Sequence, residues 1–330
     1  MIVDLEMEES RDIMVSARSL PIHDLGFYRT WLSLGYGGEM NYLSRSEAIL
    51  KREDPSLILK NSKSIVTFLV NYNRILPPVG NDEGRISKYA IGPDYHRILP
   101  EIMRKVIEKN HLYKDEYRIY SDTGPILERE ISRSLGLGWI GKNSMLINKE
   151  IGSFTYIGEV LTDINVRTPI IPQNDLCGKC KKCIQSCPTG AIGPDRMIDS
   201  NKCISYHTIE NRGLIDPKIS EKMGNMIFGC DICNDVCPWN SKIKETSVKE
   251  ILSRDFSAEM DLEKTAFIER EEFEQKFRGS AIKRATYEGL ARNAAIAIFN
   301  QDPSDPLLRD LVHDSDDLKS KQIKKLKNWV

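Results

Sequence analysis

Apolar positions along the first half of the chain follow two different periods. Ser64 to Tyr72 is an almost unbroken β-branched and aromatic run through Ile65, Val66, Phe68, Leu69 and Val70, and it predicts a buried strand. Gly152 to Thr162 predicts a second strand of the same kind. Between them, Thr123-Gly-Pro-Ile-Leu-Glu-Arg-Glu-Ile-Ser-Arg-Ser-Leu135 opens with capping residues and an early Pro and continues with helix formers, so a helix is expected from near Pro125. The Pro-punctuated stretch Arg167 to Asn174 reads as a linker. Beyond about residue 245 the period becomes helical throughout. Tyr287, Leu290, Ala291, Ala294, Ala295 and Ile298 repeat as one helix face. Asp302-Pro303 and Asp305-Pro306 break the chain, Leu307, Leu308, Leu311 and Val312 form a short apolar stripe, and Ile323 with Leu326 predicts a last helix.

Composition narrows the class. The 330 residues leave room for two or three domains of ~100–200 residues. A net charge of -1, from 47 basic and 48 acidic side chains, argues against a globally basic nucleic-acid coat protein and leaves open a local basic face. With 40% hydrophobic residues the chain has material for a core. The longest apolar stretches, Ile65 to Val70 and Ala294 to Phe299, fall far short of the ~20 residues that span a bilayer. The start MIVDLEMEESRD lacks the basic and apolar regions of a signal peptide, so a cytoplasmic protein without membrane contact is expected.

Chemistry is concentrated in one place. All 8 cysteines lie between Cys177 and Cys237, a distribution that suits metal ligation in a reducing compartment better than a disulfide scaffold. Cys177, Cys180, Cys183 and Cys187 before Pro188 form C-x2-C-x2-C-x3-C-P, the run used by two-cluster ferredoxins, whose fourth cysteine crosses to the neighbouring cluster. Cys230, Cys233 and Cys237 before Pro238 repeat it imperfectly, and Cys203 supplies the missing ligand. Crossing then assigns Cys177, Cys180, Cys183 and Cys237 to one 4Fe–4S cluster and Cys187, Cys203, Cys230 and Cys233 to the other. The competing reading is two four-cysteine zinc sites built on the pairs Cys177/Cys180 and Cys230/Cys233. The C-x3-C-x2-C order of enzymes that cleave S-adenosylmethionine is absent.

Other signals carry less. Gly136-x-Gly138-x-x-Gly141 matches a dinucleotide fingerprint in letters, but a predicted helix precedes it and a strand follows, the reverse of what that fingerprint needs. No Asp-x-His-x-x-Gly occurs among the five histidines, so a histidine-on corrinoid module is not expected; His207, beside the cysteines, reads as a packed residue with ligation or proton donation as the alternative. Lys319, Lys321, Lys324, Lys325 and Lys327 form either a solvated face or, with Lys283, Arg284 and Arg292, a phosphate-binding stripe.

Five blocks together resemble the epoxyqueuosine reductase family, cobalamin-dependent iron–sulfur enzymes of tRNA modification. They are Lys88-Tyr-Ala-Ile-Gly-Pro-Asp-Tyr-His96, Asp122-Thr-Gly-Pro-Ile-Leu-Glu-Arg129, Gly138-Trp-Ile-Gly-Lys-Asn143, Cys203-Ile-Ser-Tyr-His-Thr-Ile-Glu210 and Gly229-Cys-Asp-Ile-Cys-Asn-Asp-Val-Cys-Pro-Trp-Asn240. Against the family pattern the chain starts late and ends early, and His207 replaces an apolar residue. The resemblance implies an α+β protein: a nitroreductase-like cobalamin-binding catalytic domain over 1–166, a ferredoxin-like module with two 4Fe–4S clusters over 167–245, and a HEAT-like helical domain contacting tRNA over 246–330. It implies base-off cobalamin beside Gly141, Lys142, Asn143 and Ser144, a tRNA anticodon stem-loop as substrate and a low-potential electron donor. The family's proton donor maps onto Asp122, whose bland alternative is the N-cap of the helix expected near Pro125; Asp94, Tyr95 and His96 are weaker candidates for shaping the pocket. An electron-carrier module and a corrinoid reductase acting on a small molecule, like the reductive dehalogenases, are the other classes considered.

Overall fold

The structure, a computed structural model, describes residues 11–20, 25–256, 260–312 and 317–329. Its strands are β1 (Ile13–Ser19), β2 (Ser64–Asn71), β3 (Arg85–Ile86), β4 (Tyr117–Tyr120), β5 (Trp139–Ile140), β6 (Leu146–Ile147), β7 (Thr155–Thr162) and β8 (Met226–Phe228). The main sheet has the order β1-β2-β7-β4, and every pairing in it is antiparallel. The remaining strands make a parallel pair, β3 with β8, and a short hairpin of β5 with β6.

All eight residues of β2 are buried, which accounts for its unbroken apolar run. One face of the sheet, with Val66, Phe68, Val70, Tyr156 and Val160, packs into the same core as Leu99 and Met103 of α3 (Tyr95–Lys109). The other face, with Ile65, Leu69 and Leu161, packs with Ile131 of α4 (Glu128–Ser134), Leu135 and Leu146 of the hairpin. Gly158 of β7 lets α3 cross closely: a Cβ there would stand 2.6 Å from the Met103 sulfur, so the Met103 side chain would have to move aside.

Helices α1 (Gly26–Ser33) and α2 (Ser46–Glu53) precede β2. The cysteine region carries α5 (Lys182–Ser186), α6 (Ile204–Ile209), α7 (Pro217–Met223) and α8 (Ile232–Asp235). Then follow α9 (Lys249–Leu252), α10 (Leu262–Ala266), α11 (Arg270–Lys276), α12 (Thr286–Gln301), α13 (Leu307–Asp310) and α14 (Leu318–Lys327). The larger hydrophobic core runs without a break from Val66 in the sheet through Ile204 and Phe228 to Leu326 in the last helix.

Two expectations change. The helix read from near Pro125 begins at Glu128 with Leu127 at its N-cap, and residues 121–127 are irregular. Gly124 lies flat on Tyr120, where a Cβ would come within 2.6 Å of the ring, so the segment is packed onto the preceding strand rather than coiled. The helix read as amphipathic from Tyr287 to Ile298 is buried at every position from Gly289 to Phe299, Arg292 and Asn293 included, because α6, α7, α10, α14 and β8 surround it. Among the described residues no helix is long and apolar enough to cross a membrane.

Candidate functional site

Proline organises the thiols. The residue before Pro is driven to extended backbone, and Cys187 (φ -69°, ψ 110°) and Cys237 (φ -71°, ψ 123°) both adopt it at the ends of short helical turns, so the chain leaves the ring it has been following. Cys177, Cys180, Cys183 and Cys237 consequently line one cavity of about 210 Å³, together with Lys142, Leu176, Lys182 and Trp239. Cys187, Cys203, Cys230 and Cys233 line a second, tighter cavity of about 40 Å³. All eight thiols are free, and only Cys180 is exposed. Burial pushes the Cys203 and Cys233 thiols up and the Cys230 thiol to about 12, so metal must displace protons on binding there. Among the described residues no three Cys, His, Asp or Glu side chains converge as closely as one metal ion needs.

An aromatic cluster connects the second ring to a carboxylate. Phe228, two residues before Cys230, lies 6.0 Å from Tyr89, and Tyr89 lies 6.0 Å from Tyr95. Tyr95 stacks on Tyr156 at 4.8 Å, and its hydroxyl donates to Asp122 Oδ2 at 2.7 Å. Burial and the Asp122 charge push the Tyr95 hydroxyl far above its ordinary range, so it stays a donor. Asp122 sits at φ 60°, a left-handed conformation that costs a non-glycine residue energy and that Asp tolerates better than most. Its amide donates to Glu128 Oε1 at 2.8 Å, and its side chain is 64% exposed. His96 Nδ1 pairs with Asp94 at 2.7 Å, while Nε2 stands 4.0 Å from Asp122. Asp122 therefore caps no helix: its carboxylate is held toward Tyr95 and His96.

Beneath Asp122 lies a carboxyl pair. Glu159 on β7 is fully buried, and neither of its oxygens makes a well-formed hydrogen bond. Burial, and then the proximity of Glu128, raises its proton affinity strongly; Glu128 is raised by burial and by Asp122. Residue-by-residue reading passed over both. The available signal was the single charged residue inside the otherwise apolar strand Thr155–Thr162.

The remaining candidates fall as follows. Lys142 Nζ donates to the carbonyls of Gly178 (2.6 Å) and Cys180 (2.7 Å). Asn143 Nδ2 donates to Asn234 Oδ1 at 3.2 Å, and the Ser144 hydroxyl to the Arg196 carbonyl. A Cβ at Gly141 would meet Ile147 at 2.5 Å. This turn thus fastens the cysteine-free first part of the chain to the loops that carry the cysteines. The GxGxxG string follows α4 and runs through strand β5 into the turn before β6, so a helix precedes it and no helix opens after it. His207 is packed: Nε2 bonds the Asn201 carbonyl at 2.8 Å and Nδ1 the Asn211 amide at 3.0 Å. Arg292 is no part of a surface stripe; it is buried and donates to the carbonyls of His207, Asn211 and Gly213. Lys283 pairs with Glu274 and Arg284 with Glu210. His23 and His313 lie outside the described residues.

Known proteins share this arrangement. A profile for a 4Fe–4S double cluster binding domain matches residues 176–240, and one for epoxyqueuosine reductase QueG matches residues 52–123. The cysteine region is therefore an iron–sulfur module of the double-cluster type, set into a mixed α/β oxidoreductase. An epoxyqueuosine reductase of Cyclobacterium marinum is 39% identical over 275 residues, covering 80% of this chain and 84% of the relative. One of Vibrio cholerae is 36% identical over 86% of this chain and 77% of its own length. The chain belongs to the epoxyqueuosine reductase family. Among solved structures, an epoxyqueuosine reductase with an epoxyqueuosine-modified tRNA-Tyr stem loop superposes with TM-score 0.82 at 28% identity, covering 95% of this chain and 86% of that one. A Bacillus subtilis enzyme with its catalytic aspartate loop swung out of the active site superposes with TM-score 0.79 at 25% identity, covering 95% and 94%.

Proposed function

We propose that this protein reduces epoxyqueuosine to queuosine at the wobble position of a tRNA anticodon stem-loop, in the cytoplasm, using two 4Fe–4S clusters and cobalamin. Cys177, Cys180, Cys183 and Cys237 hold one cluster and Cys187, Cys203, Cys230 and Cys233 the other. The observation that carries the reading is the junction of the second thiol ring with Asp122 through Phe228, Tyr89 and Tyr95. An electron-carrier module has no use for a proton donor held at the end of such a path.

Opening an epoxide to an alkene takes two electrons and two protons and releases water. Cobalamin, when bound, supplies the low-potential nucleophilic metal that such an opening requires. The chain supplies the acid and its placement. Asp122 delivers a proton to the departing oxygen, Tyr95 aims its carboxyl, and Glu128 holds its backbone. The Asp122 side chain is 64% exposed, so the space it faces is open enough to admit a bulky cofactor and a nucleoside. His207 has both ring nitrogens engaged, consistent with cobalamin bound without a histidine lower ligand. The turn Gly141–Ser144 borders the cofactor in this reading. The boundaries 1–166, 167–245 and 246–330, the nitroreductase-like character of the first unit, the HEAT-like character of the last and its role in holding tRNA are parts of the same proposal.

The test is nucleoside mass spectrometry of an epoxyqueuosine-containing anticodon stem-loop incubated with reconstituted, reduced protein. Conversion to queuosine that depends on added cobalamin is the expected result. Absence of conversion with both clusters and cobalamin loaded would point to a different corrinoid reductase.

A further inference from the structure

Electrons must enter this protein from outside, and the two thiol rings differ in how they meet solvent. The second ring backs onto buried Ile204, Phe228 and the tyrosines below Asp122. The first ring holds the exposed Cys180. Three lysines, Lys179, Lys181 and Lys182, are exposed within the four positions around Cys180, and Lys182 also lines the cavity. Leu176 at the mouth is 42% exposed. Asp175, the acidic residue nearest in sequence, is already paired with Arg196. A chain of net charge -1 thus presents three exposed lysines and the exposed apolar side chain of Leu176 close in sequence to the solvent-facing cysteine of one ring.

The plain explanation for lysines there is that they balance the negative charge of a thiolate-bound cluster. Lys142 meets that need directly, since its ammonium is fixed on the carbonyls of Gly178 and Cys180. Exposed, fully hydrated lysines add little to a nearby charge through water, but they act strongly on the approach of an oppositely charged protein. Transient electron-transfer contacts are small, with a modest apolar centre and charges that steer the encounter.

We propose that the surface formed by Lys179, Lys181, Lys182 and Leu176 is the docking site of a small acidic protein that carries a low-potential one-electron centre. The proposal rests on the reading that the first ring holds a 4Fe–4S cluster. Each encounter moves one electron: the donor is oxidised by one electron and the cluster at Cys177, Cys180, Cys183 and Cys237 is reduced by one. Two encounters supply the electrons for one epoxide.

The experiment uses the full chain reconstituted with both clusters and mixed anaerobically with flavodoxin in its hydroquinone state as the acidic probe. Bleaching of the cluster absorbance gives a second-order rate constant that needs neither cobalamin nor tRNA. The wild-type constant is expected to fall at least about 10-fold as salt rises from low to high ionic strength, and K179E/K181E/K182E to fall by about 10- to 1,000-fold at low salt, the range electrostatic steering spans. Reduction of the same variant by photoreduced deazariboflavin, small and uncharged, should keep its wild-type rate. Three results would overturn the docking site: a wild-type flavodoxin rate in the triple variant, a wild-type rate that ignores salt, or loss of tRNA affinity in the variant with its flavodoxin rate intact, which would give the surface to nucleic acid. Iron analysis separates these from failure of the cluster reading, which would show as missing iron in the wild type.

Discussion

The two cysteine rings have nearly the same local recipe and very different surroundings. Each combines closely spaced cysteines with a Cys-Pro step that sends one thiol across to the other ring, and α5 packs against α8 between them. One ring opens on solvent beside Lys179, Lys181 and Lys182. Its twin is backed by the aromatic cluster that ends at Asp122. Its fourth thiol, on Cys203, precedes helix α6, which the buried guanidinium of Arg292 holds through the His207 carbonyl. Similar ligand spacing therefore makes two thiol rings, and the packing around them leaves one facing solvent and the other facing the core; entry at the first and delivery from the second are the roles proposed above.

Removing one thiol from either ring should have the largest effect. Cys203→Ala and Cys180→Ala should each lower iron from about eight to about four per chain. With a small diffusible reductant, Cys203→Ala should abolish conversion and Cys180→Ala should retain part of it, because only the inner ring adjoins the acid. Equal loss in both, read by iron analysis and nucleoside mass spectrometry, would erase the distinction.

Asp122→Asn follows in size. Asn tolerates the left-handed backbone and can accept from Tyr95, so the fold should persist, while the single-turnover rate drops by ~10²–10⁴-fold, the usual worth of a general acid. Cluster content and cobalamin binding should match wild type. Conversion within a few-fold of wild type would remove Asp122 from the chemistry.

Arg292→Met should loosen the inner ring alone. It leaves the carbonyls of His207, Asn211 and Gly213 without their donor, and an unsatisfied buried group costs ~1–3 kcal/mol. A loss of about 3 kcal/mol is expected in denaturant unfolding. Iron release to a chelator should accelerate from the inner cluster and not from the outer one, as paramagnetic resonance of the two reduced clusters would show.

The smallest effect is on the pH dependence of stability. Glu159 keeps its proton in the native state well above the ordinary carboxyl range because it is buried and faces Glu128. In the unfolded chain it releases that proton near pH ~4.3. Native stability from this group is complete below that value and is lost as pH rises toward the raised native value. Glu159→Gln cannot ionise, so its melting temperature should gain on wild type steadily from acid to mildly alkaline pH. A constant difference would mean that Glu159 titrates as an ordinary carboxylate.

The double-cluster character of the cysteine region was readable along the chain because close cysteine spacing and the backbone restriction before proline act over a few residues. The strand at Ser64–Asn71 was readable because its run of apolar side chains is buried whichever way the sheet is assembled. Tertiary structure decided what spacing does not carry. Asp122 and Tyr95 are 27 positions apart, and Glu128 and Glu159 are brought together only when α4 settles on β7. The helix after Asp122 starts late because Gly124 is pressed against Tyr120, and Arg292 turns inward because three carbonyls of another segment wait inside the core. Chain-local steric rules acted within the sequence itself, whereas the proton affinity of a buried carboxyl and the destination of a buried cation depend on neighbours that arrive from distant segments.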